Sequence, residues 1–278
     1  MQYGFVVDGW DIRTIGDLTE ETENAGWDGL FISDAIAVSA EGFPDFDFFD
    51  PWVGLAVMAT RSERLRIGTM ITAVPRRRPW KLARETLSID HLSKGRLILG
   101  VGLGAAEHDG GFSKVGEPMD LKVRAQRLDE GLEVLTGLWR GKPFSFSGEH
   151  YRVDEMTMLP ATVQSPRIPI WVPGVWQKPK SMARALEWDG IIPQKYKSMS
   201  RMTAAEIREL KLYVDTHRQQ AGPFDIIAGG ETQGTNRASA IKKVRPYIRA
   251  GATWWLESKW TFSSDEVLER IKQGPPRE

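Results

Sequence analysis

Cysteine is absent from this chain. Disulfides, thiol nucleophiles, iron–sulfur clusters and Cys-ligated zinc are excluded together. Histidine is scarce: His91, His108, His150 and His217 stand apart, with neither a His-x-His nor a His-Glu-x-x-His spacing. A metal-dependent hydrolase therefore lacks its ligand set, and no metal site is expected. No Gly-x-Ser-x-Gly elbow is present for a serine nucleophile. An excess of one charge is also missing, since Lys+Arg and Asp+Glu both total 37. That argues against nucleic acid or an anionic membrane as partner, because both call for a basic surplus. No apolar run approaches about 20 residues, and the first residues carry no basic segment, so neither a membrane span nor a signal peptide is expected. The default expectation is a cytoplasmic protein.

What remains is ordinary globular material: 278 residues, 41% hydrophobic and 27% charged, enough for one large barrel or two modest domains. Short β-rich runs recur at Tyr3–Val7, Gly29–Ser33, Leu65–Val74, Leu97–Gly102, Ile168–Val172, Gly190–Pro193, Asp225–Ala228 and Thr253–Leu256. Helical patterns lie between them. Asp50-Pro51 reads as an N-cap with proline at the first helical position. From Leu121 the apolar residues fall at 121, 125, 128, 132, 135 and 139, which predicts a helix laying one stripe on a core. Thr203 with Glu206, and Ser263 with Glu266, fit capping boxes, and Ser93-Lys94-Gly95 fits a helix stop. Eight strands, each followed by a helix, imply parallel pairing and favour a closed α/β fold, an eight-stranded (β/α)8 TIM barrel, over an open sheet. Residues 140–167 break the rhythm with a small hairpin around Phe144–Tyr151, an insertion in what reads as one domain over residues 1–278.

The richest stretch is Leu65–Gly104. Its first strand ends in Thr69, Thr72 and the turn Pro75-Arg76-Arg77-Arg78-Pro79; its second ends in Gly100, Gly102 and Gly104. Polar groups, positive charge and bare backbone at parallel-strand C-termini are how α/β proteins build cofactor sites. Gly100–Ala105 imitates a dinucleotide fingerprint, but it follows the fourth strand and no acidic partner appears about twenty residues on, so a Rossmann site is not expected. The arginine turn suits a phosphate or carboxylates, with at least one of the three simply solvated. Pro173–Trp176, leading into Lys178 and Lys180, offers an anion site at a helix start, and Gly229-Gly230-Glu231-Thr232 is its rival. Strand-end candidates for acid–base work are Asp8, Asp34, Glu107, His108, Glu231 and Glu257. Of 11 tryptophans, Trp10, Trp171, Trp176, Trp254, Trp255 and Trp260 lie at or just past strands, an arrangement suited to walling a flat ligand. Such polar groups serve a cofactor that carries the chemistry itself.

The stretch Leu87–Gly104, LSIDHLSKGRLILGVGLG, resembles the signature of the bacterial-luciferase-like, flavin-dependent oxidoreductases. Further matches run along nearly the whole chain: Ala25-Gly26-Trp27-Asp28, Ser33-Asp34, Arg78-Pro79, Arg127–Glu130, Gly148–Tyr151, Ile168–Val172, Trp188-Asp189-Gly190 and Ala250–Trp255. The resemblance implies a barrel holding a flavin, reduced FMN or the deazaflavin coenzyme, at the C-terminal mouth. It places the ring near Asp34 and the stretch Met70, Ile71 and Thr72, where such proteins often carry a bulge and sometimes a cis peptide. Gly102 would allow close approach, and Gly174, Val175 and Trp176 would lie near the flavin phosphate. The chain departs from luciferase at Leu103, where luciferase has a phosphate-binding arginine, and at the bulky pair Val175-Trp176.

On this resemblance the protein is a monooxygenase using reduced FMN and oxygen on a small organic substrate, or a deazaflavin-dependent hydride-transfer reductase. A flavin-binding barrel without turnover and a cofactor-free phosphosugar-type enzyme are the rival classes. His108 or Glu107 would handle the proton, Glu257 would meet substrate, and Trp176 and Trp254 would wall the pocket. A separate flavin reductase is an implied partner. The helix containing Trp52–Met58 would suit a homodimer face, as the second and third helices often do in this family.

Overall fold

The computed structural model describes residues 1–7, 9–37, 48–104, 111–198, 200–258 and 264–277. Among these residues ten strands run in chain order: β1 Gln2–Val7, β2 Gly29–Ile32, β3 Arg66–Ala73, β4 Leu97–Gly102, β5 Phe144–Ser147, β6 Arg152–Met156, β7 Ile170–Val175, β8 Gly190–Gln194, β9 Asp225–Gly230 and β10 Trp254–Glu257. Eight of them close into a parallel barrel in the order β1, β10, β9, β8, β7, β4, β3, β2. Closure is made by β1, which pairs Gln2 with Trp254 on one side and Gly4 with Gly29 on the other. β5 and β6 form the separate antiparallel hairpin of the insertion. The eight expected strands are therefore the eight staves of the barrel.

Each stave is followed by a helix: α1 Ile15–Asn24, α2 Pro51–Thr60, α3 Pro79–Leu92, α4 Leu121–Trp139, α5 Pro179–Leu186, α6 Ala204–His217, α7 Arg237–Ala250 and α8 Ser264–Lys272. Local chemistry sets their ends. Asp50 caps α2 by accepting from the N–H groups of Trp52 and Val53, and Pro51 takes the first helical place. Thr203 and Glu206 complete a reciprocal capping box on α6. α3 stops where Lys94 and Gly95 turn left-handed, at φ 54° and 82°. The α4 stripe is buried from Leu128 onward, whereas Leu121 in the first turn is exposed. Ser263 lies outside the described residues. Among the described residues no helix is long and apolar enough to cross a membrane.

Alternation along each strand sends one set of side chains to the helices and the other to the barrel axis. The inner set includes Val6, Phe31, Ile98, Trp171, Ile227, Trp254 and Leu256. Phe31, Trp171 and Trp254 meet pairwise at centroid distances of 5.2 to 5.8 Å and fill the lower barrel. Gly190 makes room for them: a β-carbon there would sit 2.5 Å from the Trp171 ring. Asp225 anchors the layer, accepting from Trp171 Nε1 at 3.1 Å and Thr253 Oγ1 at 2.7 Å.

The bottom rim is tied by buried ionic groups. Arg96 donates to the carbonyls of Ala59, Ser62, Leu65 and Ser93 and to the Ser62 hydroxyl, so one guanidinium closes the end of α2 onto β3 and β4. Asp90 accepts from the backbone of Val163 and Gln164, pinning the insertion's return. The signature Asp-His-Leu-Ser-Lys-Gly-Arg thus serves the face of the barrel that stabilises rather than the face that reacts.

Candidate functional site

β3 is irregular where it reaches the mouth. Its register against β4 shifts between Thr69 and Thr72, and the Met70–Ile71 peptide is cis. The shift leaves the Gly100 carbonyl to the Thr69 hydroxyl at 3.0 Å, and Thr72 Oγ1 donates in turn to Thr69 Oγ1 at 3.0 Å. Thr72 is wholly buried and its hydroxyl is spent in that chain. The expectation that Thr72 faces a flavin ring is thus corrected: it closes the bulge, and Met70 is the residue of this stretch that lines the mouth cavity.

The glycines of β4 are filled by the same bulge. A β-carbon on Gly100 would lie 2.2 Å from the Thr69 carbonyl, and one on Gly102 would lie 2.3 Å from Ile71 Cδ1. Ile71, not a ligand, takes the space that Gly102 opens. Its reach toward a ligand is through that side chain.

Asp34, just beyond β2, is enclosed. Its side chain is 1% exposed and accepts from Arg76 Nη2 at 2.6 Å and from Arg77 Nη2 and Nε at 2.7 and 2.9 Å. Arg76 also donates to the Asp34 carbonyl at 2.8 Å. The expected carboxylate partner of the arginine turn is internal: both Asp34 side-chain oxygens are engaged by Arg76 and Arg77. Burial would lower the Arg77 guanidinium, but the Asp34 charge and hydrogen bond outweigh it and hold it raised. Arg78 is the solvated one, lying over Trp80 at 5.9 Å.

At the end of β7, Gly174 packs rather than cradles: a β-carbon there would meet Ile191 Cδ1 at 2.3 Å. The Val175 N–H donates to Ser181 Oγ at 2.9 Å, and the Trp176 N–H to the Gln194 carbonyl at 2.8 Å. The Trp176 ring stands edge-on to Tyr213 at 5.8 Å. The other anion candidate, after β9, is already occupied. Thr232 donates through both its N–H and its hydroxyl to Glu257.

Between these walls a cavity of about 180 Å³ opens at the strand C-termini. Val6, Met70, Ile227 and Leu256 floor it above the aromatic layer, while Ile192, Pro193, Met202 and Ile207 form the side toward α6. Arg201 and Ser258 are its polar edge. Arg201 Nη2 donates to the Ser258 carbonyl at 2.9 Å and hydroxyl at 2.8 Å. Partial burial lowers this guanidinium, against the pull of Glu231 and Glu257. A second hollow, about 370 Å³, lies between α1 and α8, but on its rim Asp11, Asp17, Glu21 and Asp265 outnumber Lys272, a net negative charge that disfavours a flavin nucleotide's phosphate.

A family model described as luciferase-like monooxygenase matches residues 4–273. The chain belongs to the luciferase-like monooxygenase family. Among curated relatives of this luciferase-like chain, the oxygenase component of the flavin-dependent trigonelline monooxygenase of Acinetobacter baylyi is 32% identical over 44% of the chain and 33% of that protein. An F420-dependent glucose-6-phosphate dehydrogenase of Intrasporangium calvum is 30% identical over 58% of the chain and 47% of that enzyme. These two matches span less than half of each relative's length. The enzyme of the same description from Nakamurella multipartita aligns over 93% of the chain and 82% of its own, at 25% identity. Among solved structures, the F420-dependent tetrahydromethanopterin reductase of Methanopyrus kandleri superposes with a TM-score of 0.76, over 99% of this chain and 98% of that one, at 16% identity. This likeness carries the barrel fold.

Several expectations for the luciferase-like site are corrected by strand parity. Glu257 shares the outward face of β10 with Trp255. It is wholly buried, accepting from Thr232, from Trp255 Nε1 at 3.1 Å and from Arg270 Nη2 at 3.5 Å, and it does not line the mouth cavity. Trp254 belongs to the aromatic layer beneath the cavity, Trp255 packs outward on Tyr247, and Trp10 packs over Gly54 of α2. Among the described residues the tryptophans do not wall one pocket. Glu107, His108, Asp8 and Trp260 lie outside the described residues. Arg201, Met202, Ile207 and Ser258 went unread in the sequence. The available signal was a basic residue placed just before a capping box that follows a strand end.

Proposed function

We propose that this chain is a flavin-dependent oxidoreductase that binds a dissociable reduced flavin at the barrel mouth and acts on a small organic substrate. The observation that carries the reading is the apolar cavity at the strand C-termini, with Met70 of the β3 bulge in its floor, in a chain of this family. The residues fit a flat ring: Met70, Ile71, Val6 and Leu256 offer apolar surface, and the rim supplies donors. A flavin, when bound, supplies the redox step, by oxygen activation with FMN or hydride transfer with the deazaflavin. The chain's part is to hold the ring edge on Met70 and Ile71, exclude water with the side toward α6, and keep the bulge fixed through Thr69 and Thr72. Glu107 and His108 are proposed as proton-handling groups on the strength of their position just past Gly104. Lys178 and Lys180, at the start of α5 where Gly174, Val175 and Trp176 lead in, are proposed to face the phosphate.

The FMN reading is supported by the Acinetobacter relative, described as an oxygenase component, which also supports a separate reductase as partner. The deazaflavin reading is supported by the F420-dependent relatives, one of which aligns over most of both chains. The chain is proposed to act as one unit in the cytoplasm. A second copy would suit α2, where Val53 is 54% exposed on an otherwise apolar helix. Titration of purified protein with FMN and with deazaflavin, oxidised and reduced, followed by absorbance and fluorescence, tests the proposal. Binding of neither overturns it, and deazaflavin binding without FMN binding eliminates the monooxygenase form.

A further inference from the structure

Arg201 is the single charged side chain among the described residues lining the mouth cavity. Its Nη2 is committed to Ser258, and among the described residues no carboxylate lies within ion-pair range of it. The other guanidiniums near the mouth are engaged differently. Arg76 and Arg77 grip Asp34, and Arg270 holds Thr232 and Glu257. Glu231 and Glu257 act on Arg201 only through space, and Glu257 is already shared between Thr232 and Arg270. A guanidinium at the exposed rim of an apolar cavity, drawn on by Glu231 and Glu257 only through space, can anchor an anion through charge-assisted hydrogen bonds.

We propose that Arg201, held in place by Ser258, anchors a carboxylate or phosphate on the substrate, whose apolar body lies on Met70 and Leu256. The substrate is thus an amphiphilic anion rather than a neutral hydrocarbon or ketone. Naming the ligand a substrate rests on the oxidoreductase reading; the anion preference itself does not.

The probes are benzoate and its uncharged counterpart benzamide, titrated into flavin-free protein by calorimetry. Wild type should prefer benzoate by about tenfold or more, the factor expected of one charge-assisted contact. Arg201→Met, which keeps the apolar stem, should abolish that preference and leave benzamide binding unchanged. Ser258→Ala should weaken benzoate by a smaller factor, and it keeps the question answerable if the first variant folds poorly. Equal affinity for the two probes in wild type, or a preference intact in Arg201→Met, overturns the proposal. FMN and riboflavin form the second arm. Arg201→Met should leave the FMN-over-riboflavin ratio as it is, and its loss would reassign the anion to the cofactor phosphate and overturn the substrate assignment. Failure to bind any flavin sinks the oxidoreductase reading while a benzoate preference survives it.

Discussion

Asp34 illustrates how a single residue can be read for one job and built for another. At a strand end beside a family-like Ser-Asp pair it looks poised for a ligand, yet two arginines take both its oxygens. A partner supplied by a turn forty residues away has no local signature. Removing one member of a buried ion network strands the others, so Asp34→Asn should cost roughly 3–5 kcal/mol, read as a lowered urea midpoint. A loss below about 1 kcal/mol would mean the pairs are individually dispensable. Glu257 gives a pH-dependent counterpart. Burial raises its carboxyl above the ordinary value, against Arg270 and the donors of Thr232 and Trp255. A raised acid contributes fully to stability below its unfolded pKa, and that contribution is lost as pH climbs through the folded value. Glu257→Gln does not titrate. The stability of wild type relative to this variant should therefore decline as pH rises from about 4 toward 7, measured by denaturant melts at several pH values. A gap that stays flat would contradict the sign.

At the scale of elements, the strand ends separate what pattern can show from what it cannot. Eight staves, the hairpin, the α2 cap and the α6 capping box were legible because each is written in neighbouring residues: alternation, a proline, a threonine three before a glutamate. The inward or outward sense of a strand-end residue was not, because one step of register reverses it, and β3 contains such a step. Hence the step in β3 buries Thr72, and on β10 the parity shared with Trp255 turns Glu257 away from the mouth. The bulge also separates two glycines that look equivalent in sequence. Gly100→Ala drives a β-carbon onto the Thr69 carbonyl, a backbone atom that cannot yield, and should destabilise by about 3 kcal/mol or prevent folding. Gly102→Ala meets the far end of Ile71, which can rotate. That variant should remain folded with a changed flavin affinity, since the displaced side chain moves within the mouth. Circular dichroism and flavin titration together distinguish the pair, and equal destabilisation would refute the distinction.

For the whole molecule, closure was legible from the count of strand–helix repeats, whereas the cavity was not. It is assembled from β1, β3, β8, β9, β10 and the approach to α6, elements spread across the chain that meet only when the ring closes. The same closure makes the lower barrel solid. Trp171→Ala would remove the middle of a three-ring layer and should cost roughly 3–5 kcal/mol, with a cooperative loss of the thermal transition's midpoint; a shift of under a degree would show that the layer is redundant.

The aromatic layer of Phe31, Trp171 and Trp254 turns the barrel into a cup with a sealed base. Anything resting on Met70 must come and go through the same opening as whatever lies above it. Traffic is then last in, first out: the deeper guest loads before the shallower one and departs after it. Two guests stacked in such a cup would be ordered by depth, the lower one bounded by Met70 and Leu256.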